Sequence, residues 1–281
     1  MTITVHSMVK NEARFVWFSM MSVINYVDKI LLWDTGSTDR TREIIQEILK
    51  TKEGKKKVSF EEIGEVDPIS FTKARQQMLD QTETDWFMIV DGDEVWWEKS
   101  IKKVILTIKS RGKNLESIVN PYYNIVGDIF HYQEEEAGMY QIDDKAGHIN
   151  IRAINRNIPG LHFDKPHGQQ GLYDENEILI QDRSKKQRIF VDAPYMHFSN
   201  VIRSMDRGND LQVPKRDLKL KYDLGIVFPK DFKFPEVFYQ SKPEIVPSPW
   251  DKRSKYFITR AFFETPLRKI KRRLFRKKVG Y

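Results

Sequence analysis

Hydrophobic and polar positions alternate along the first hundred residues with two different periods. Thr2 to Met8 is a short β-branched run that predicts a strand, and Asn11 to Tyr26 sets Phe15, Phe18, Met21 and Val23 at helical intervals. Lys29 to Trp33 (KILLW) is a buried-strand run ending at Asp34, followed by Thr38 to Leu49, where Ile44, Ile45 and Ile48 share one helical face. Lys57 to Phe60 predicts a weaker strand, Phe71 to Asp80 a helix, and Trp86 to Val90 (WFMIV) a strongly apolar strand ending at Asp91. Strand and helix in alternation with short connections predict right-handed βαβ units, hence an α/β fold with a mostly parallel sheet and flanking helices. Ligands of such sheets bind at the carboxyl ends of the strands.

After about residue 112 the rhythm becomes aromatic and irregular. SIVNPYYNIVG, HINIRAIN and RIFVDAPYMHF predict an antiparallel extension of the sheet that carries specificity loops. The aromatic and acidic stretch from Tyr122 to Tyr140, with Glu134, Glu135 and Glu136 in series, predicts a mobile surface loop over the cleft. Six of the twelve prolines fall between 214 and 249, where repeated loss of backbone donors predicts an extended arm. The expected organisation is an α/β domain over 1–205, with halves 1–111 and 112–205, and an arm and tail over 206–281.

Composition narrows the chemistry. With 281 residues, 40% of them hydrophobic, the chain can fill a core, and the absence of cysteine removes disulfides, thiolate metal sites and cysteine nucleophiles. Any metal must sit on oxygen or imidazole. The net charge of +7 suggests an anionic partner, but eight basic residues and no acid lie between Leu267 and Lys278 (LRKIKRRLFRKK), so the rest of the chain sums to −1. Leu267, Ile270 and Leu274 fall at helical intervals with Phe275 beside them, and this predicts an amphipathic tail that seats on an anionic membrane surface. No apolar run is long enough to span a bilayer, and the N-terminus lacks the signature of a signal peptide. The expected location is cytoplasmic, peripheral on the inner face of the membrane.

Two strand ends carry candidate chemistry. Asp91-Gly92-Asp93-Glu94 follows an apolar strand that delivers its carboxylates to a fixed place on the sheet edge. Two carboxylates flanking a glycine form a hard oxygen site for Mg²⁺ or Mn²⁺, and Gly92 leaves room for a diphosphate to approach. In Asp34-Thr35-Gly36-Ser37-Thr38-Asp39, Thr38 and Asp39 are expected to cap the next helix, while Asp34 has no helix to cap.

Taken together, SMVKNEARF, ILLWDTGSTDRT and DWFMIVDGDE resemble, in order and spacing, the family 2 glycosyltransferases with the GT-A fold. The resemblance implies that Val9, Lys10, Asn11 and Glu12 line a nucleotide pocket, that Asp34 contacts the base or ribose, and that Arg75 helps hold the nucleotide. It further implies that Asp91 and Asp93 contact the ribose and a divalent metal, with Asp93 the direct ligand and Gly92 between them. The expected reaction is inverting transfer from a nucleotide-diphosphate sugar, in the first instance a UDP-sugar, to a hydroxyl of a glycan or lipid-linked acceptor. Residues 1–111 would be the donor half and 112–205 the acceptor half.

Further along, GLHFDKPHGQQ resembles a loop of the lipopolysaccharide core glucosyltransferase-like branch, in which a His-Glu pair stands where His167 and Gly168 stand here. Asp164, His167 and Glu175 are therefore the candidate catalytic bases. His197 resembles a late histidine that completes the metal shell in some enzymes of this fold, and a structural role is its alternative. Trp96 and Trp97 suit either an acceptor platform or the core.

An apolar strand followed by Asp91-Gly92-Asp93-Glu94-Val95 is also similar to the opening motif of haloacid dehalogenase-like phosphatases, in which Asp91 would be the nucleophile and Asp93 the acid/base. Two strand-helix units precede it here, no later strand ends in paired aspartates, and the DTGSTDRT segment would have no role. A non-enzymatic reading takes the basic tail as primary. It makes the protein a membrane or nucleic-acid binder, although no recognised nucleic-acid fold accompanies the tail.

Overall fold

The computed structural model describes the chain except residues 206, 212, 214, 215, 217–219, 275–278 and 281. The donor-side elements run β1 Ile3–Val9, α1 Val16–Val23, β2 Lys29–Asp34, α2 Thr41–Lys50, α3 Lys52–Lys57, β3 Val58–Glu62, α4 Pro68–Asp80 and β4 Trp86–Ile89. Then come β5 Glu94–Trp96, α5 Glu98–Arg111, β6 Ser117–Val126, β7 Asp128–Tyr132, β8 Tyr140–Ile142, β9 Lys145–Gly147 and β10 Ile149–Asn155. The remainder holds β11 His162–Asp164, β12 Gly171–Tyr173, β13 Arg188–Phe190, β14 Tyr195–Asn200, α6 Arg207–Leu211, β15 Ile226–Val227 and α7 Lys255–Leu274.

The main sheet has the order β15-β7-β6-β10-β4-β1-β2-β3. Its four strands β4, β1, β2 and β3 pair in parallel, with Val9 level with Asp34 and His6 level with Ile89. β10 then pairs antiparallel with both β4 and β6, and β7 extends that half. This is the expected α/β sheet with its antiparallel extension. β4 is apolar on both faces because helices cover the sheet on each side, and β1 is buried along its whole length, with Thr4, His6 and Ser7 among its buried residues.

One expectation is corrected. Tyr122 to Tyr140 is not a mobile loop: most of it lies in β6 and β7, and Ile125, Val126 and Ile129 are buried. The glutamates that suggested solvent occupy only the short turn that follows. The proline-rich stretch has few regular elements, yet most of its aromatic side chains turn inward, Tyr239 excepted. Phe228 stacks on Tyr132 at 4.4 Å, Phe238 lies 5.0 Å from Phe18, and Phe228, Val237, Phe238 and Val246 join the main core. Prolines that cost ladder bonds also restrict the unfolded arm, and burial of these rings offsets its remaining ordering entropy.

Candidate active site at the carboxyl ends of β1, β2 and β4

The site is built by three turns at one sheet edge. After β1 the chain turns through Asn11, a non-glycine residue at φ 54. Its side chain repays the strain of that left-handed conformation: Asn11 Oδ1 accepts from the Thr38 N–H at 2.7 Å, and its Nδ2 donates to the Asn209 carbonyl at 2.7 Å. The Asn11 N–H donates to Ser37 Oγ and the Glu12 N–H to Thr41 Oγ1, so the turns after β1 and β2 are stitched together.

Asp34 ends β2 and is buried. Its Oδ1 accepts from the N–H groups of Gly36 at 3.1 Å and Ser37 at 2.9 Å, and its Oδ2 accepts from the Ser37 hydroxyl. The carboxylate therefore has the local structural role that its sequence context did not suggest. Gly36 at φ 84 completes this turn. Asp39 holds the start of α2 by accepting from the Thr41 N–H at 3.0 Å, as expected. Thr38, by contrast, bonds back to Asn11 and does not cap the helix.

The acidic turn after β4 is held differently. Asp91 Oδ1 accepts from Arg75 Nη2 at 3.1 Å and its Oδ2 from Arg152 Nη2 at 3.3 Å. Asp93 Oδ2 accepts from Arg203 Nη1 at 2.5 Å and lies 3.5 Å from His197 Nε2. Glu94 is fully buried against Arg152, and Glu12 accepts from Arg216 Nη2 at 2.5 Å and lies 3.3 Å from Arg203. Burial would raise both aspartates, but Arg203 and His197 hold Asp93, and Arg152 and Arg75 hold Asp91, below the usual carboxylate range. The two glutamates go the other way. Burial lifts Glu12 to about 8 despite Arg203 and Arg216, and burial with the neighbouring Asp91 and Asp93 charges lifts Glu94 well above its ordinary value. Their surroundings thus pull the four carboxyl groups in opposite directions, the two aspartates toward the ionised form and the two glutamates toward the protonated one.

Backbone pairing explains why His197 belongs here. β14 lies antiparallel to β5 with His197 level with Glu94, and the Phe198 N–H donates to the Asp93 carbonyl at 2.9 Å. Gly92 is required by crowding. A Cβ there would lie 2.8 Å from Val9 Cγ1 and 3.0 Å from Glu12 Cγ, so the steric partner is the end of β1 rather than an incoming diphosphate alone.

Asp93 and His197 supply a carboxylate oxygen and an imidazole nitrogen at one point, which suits a hard or borderline divalent ion. His197 Nδ1 is buried without a partner among the described residues. Among those residues no three His, Asp or Glu side chains converge into a ready cage. Mg²⁺ ordinarily takes one or two carboxylates and completes its shell with substrate phosphates, so this donor set fits.

The candidate bases lie elsewhere. Asp164 and His167 are exposed, on β11 and on the connection to β12, where the His167 N–H donates to the Pro68 carbonyl and its ring lies 4.2 Å from Phe71. Phe71 in turn carries the Arg75 guanidinium at 5.5 Å, which brings the hairpin to the same edge. Glu175 is exposed in the turn after β12, and Lys10 pairs with Glu65 at 3.0 Å. Trp96 is core, stacked on Tyr195, and the half-buried Trp97 is anchored by Nε1 donating to the Lys233 carbonyl. Sequence reasoning missed Arg152, Arg203, Arg216 and Glu94. Arg152 left a signal, as one cation inside the apolar strand INIRAIN, and Glu94 stood in the acidic motif itself without being assigned a role. The same pairings count against the phosphatase expectation, because both Asp91 oxygens accept from arginines.

The glycosyl transferase family 2 matches residues 4–172 of this chain. A TPR repeat-containing protein of Synechococcus elongatus is 24% identical over 181 residues, covering 64% of this chain and 38% of that protein. Among solved structures, S. aureus TarS is 15% identical with a TM-score of 0.43, covering 70% of this chain and 37% of that one. TarS 1–349 in complex with UDP-GlcNAc is 12% identical with a TM-score of 0.45, covering 99% of this chain and 76% of that one. A mannosyltransferase from Pyrobaculum calidifontis in complex with GDP-Man and Mn²⁺ is 12% identical with a TM-score of 0.43, covering 75% and 59%. The chain spans under two fifths of the curated relative and of full TarS. Because the family match runs from the first strand through the acidic turn and the β11–β12 hairpin, well over half of the molecule, the chain belongs to glycosyl transferase family 2.

Proposed function

We propose that the protein is a metal-dependent, inverting glycosyltransferase that moves a sugar from a nucleotide-diphosphate donor to a hydroxyl of a glycan or lipid-linked acceptor. The observation that carries this reading is the cluster at the end of β4, where Asp93 and His197 face each other amid Arg75, Arg152 and Arg203. The leaving diphosphate gains negative charge as the glycosidic bond breaks, and preorganised cations are most effective where that charge forms. Asp93 and His197 would hold Mg²⁺ or Mn²⁺, whose chemistry is to neutralise that diphosphate. Val9, Asn11, Glu12, Asp34, Arg75, Asp91 and Gly92 form the donor side. Asn11 and Asp34 act there by shaping the turns that a base and ribose would meet. Asp164 or His167 takes the proton of the acceptor hydroxyl from the hairpin at the same edge. A UDP-sugar is the first donor to test, and the cytoplasmic side, which a cysteine-free chain permits, is the proposed compartment. Thermal shift with a series of nucleoside diphosphates, with and without Mn²⁺, tests the reading, since a ligand that binds only the folded state raises its melting point. Stabilisation by one diphosphate that grows with Mn²⁺ is expected. Identical melting with every nucleotide, with metal present, would refute it.

A further inference from the structure

Helix α7 is held to the protein by one face. Phe257, Ala261 and Thr265 are buried, Phe257 packs 5.0 Å from Tyr222, and Thr265 Oγ1 accepts the Leu224 N–H at 2.9 Å. Two turns further on, Arg272 Nη2 donates to Glu134 Oε1 at 2.5 Å. The opposite face is apolar and uncovered. Phe263, Leu267, Ile270 and Leu274 are 67%, 66%, 55% and 69% exposed, and their spacing of four, three and four places them on one line. Tyr256 begins the same line two turns earlier, and Phe262 widens it beside Phe263. From 256 to 274 the row extends about 27 Å. Contiguous apolar rows of this size mark interaction surfaces.

Charge selects the partner. Between Leu267 and Lys278 the chain has eight basic residues and no acid. Arg268, Lys269 and Arg272 pair with Glu264 and Glu134, while Lys271 stands exposed beside the row. A second copy of this helix would set like charge against like, whereas an anionic bilayer complements both the row and its rim. We propose that the outer face of α7 seats on an anionic lipid surface, with Phe263, Leu267, Ile270 and Leu274 below the headgroups and Lys271 among their phosphates. This surface begins at Tyr256, a dozen residues before the basic segment, and Phe275 and residues 276–278 lie outside the described residues.

The experiment is co-sedimentation of the full chain with phosphatidylcholine vesicles and with phosphatidylcholine–phosphatidylglycerol vesicles. It needs no turnover, so its outcome is independent of the transferase reading. The protein is expected to pellet with the anionic vesicles and not with the neutral ones. Leu267→Glu combined with Leu274→Glu should lower binding roughly tenfold or more, with unchanged melting because both positions face solvent. Lys271→Glu should lower it less, and more at low salt than at high. Should the double variant fail to fold, Phe263→Ser alone gives the same reading. Failure of the unaltered chain to pellet, equal binding by a folded variant, or a dimer that Leu267→Glu dissociates would each overturn the proposal.

Discussion

The turns after β2 and after β4 look alike in sequence, an apolar strand ending at an aspartate, and the structure uses them oppositely. Asp34 is satisfied within three residues of itself, by Gly36 and Ser37. Asp91 and Asp93 are satisfied by arginines 16, 61 and 110 residues away in the chain. A carboxylate bonded by its own turn fixes backbone shape and has little freedom to exchange partners. Carboxylates bonded by distant cations form a polarised cluster in which incoming phosphate can compete for the arginines. In the proposed transferase the first arrangement would shape the donor pocket and the second would supply its chemistry.

The sharpest way to break the contrast is Arg152→Met, which strands the buried Glu94 and removes a partner of Asp91. Loss of one partner from a buried pair costs about 3–5 kcal/mol, and chemical denaturation should show a loss of that size. Asp93→Ala strands the buried Arg203 guanidinium and should cost stability on the same scale of about 3–5 kcal/mol, and per folded molecule it should lower donor-dependent transfer by roughly 10²–10³, the scale of losing one preorganised charge-stabilising group. Full transfer by this variant in Mn²⁺ would remove Asp93 from the mechanism. Asp34→Ala should cost about 1–3 kcal/mol through its stranded turn donors, and Asp34→Asn less than that, because an amide oxygen can still accept them. An Asp34→Asn enzyme as inactive as Asp93→Ala would erase the distinction between the two turns.

The last test is a pH dependence whose sign differs between the two kinds of carboxyl. Glu12 moves from 4.5 to about 8, so it binds a proton in the folded state that the unfolded chain has already released. Its contribution to stability is full below pH 4.5 and is lost as the pH rises toward 8. Asp91 and Asp93 are lowered, so their contribution is present above the ordinary aspartate range and is lost in acid. Glu12→Gln should therefore flatten the decline of melting temperature between pH 5 and 8 and leave the acid limb unchanged.

Much of the fold was legible because the donor-side strands are apolar runs of strand length, bounded by polar turns, and their alternation with helices fixes a parallel sheet. Asp91, Gly92 and Asp93 were legible for the same reason, at the end of WFMIV. The aromatic extension was misread where Glu134 to Glu136 imposed a loop on residues that are mostly strand, since cross-strand partners far along the chain decide such segments. Arg203 and Arg216 could not be found because no periodic pattern surrounds them. Their significance lies in contacts with Asp93 and Glu12 that only tertiary structure creates.

β14 pairs antiparallel with β5 and in parallel with β6, so the backbone at His197 is clamped between two ladders. The imidazole can turn about its own side-chain bonds, but the ladder bonds must break before its Cα travels. If the proposed ion sits at this edge, variation that alters its preference should work by changing what touches the ring, as Tyr122 does at 5.2 Å, while the strand beneath it stays in register.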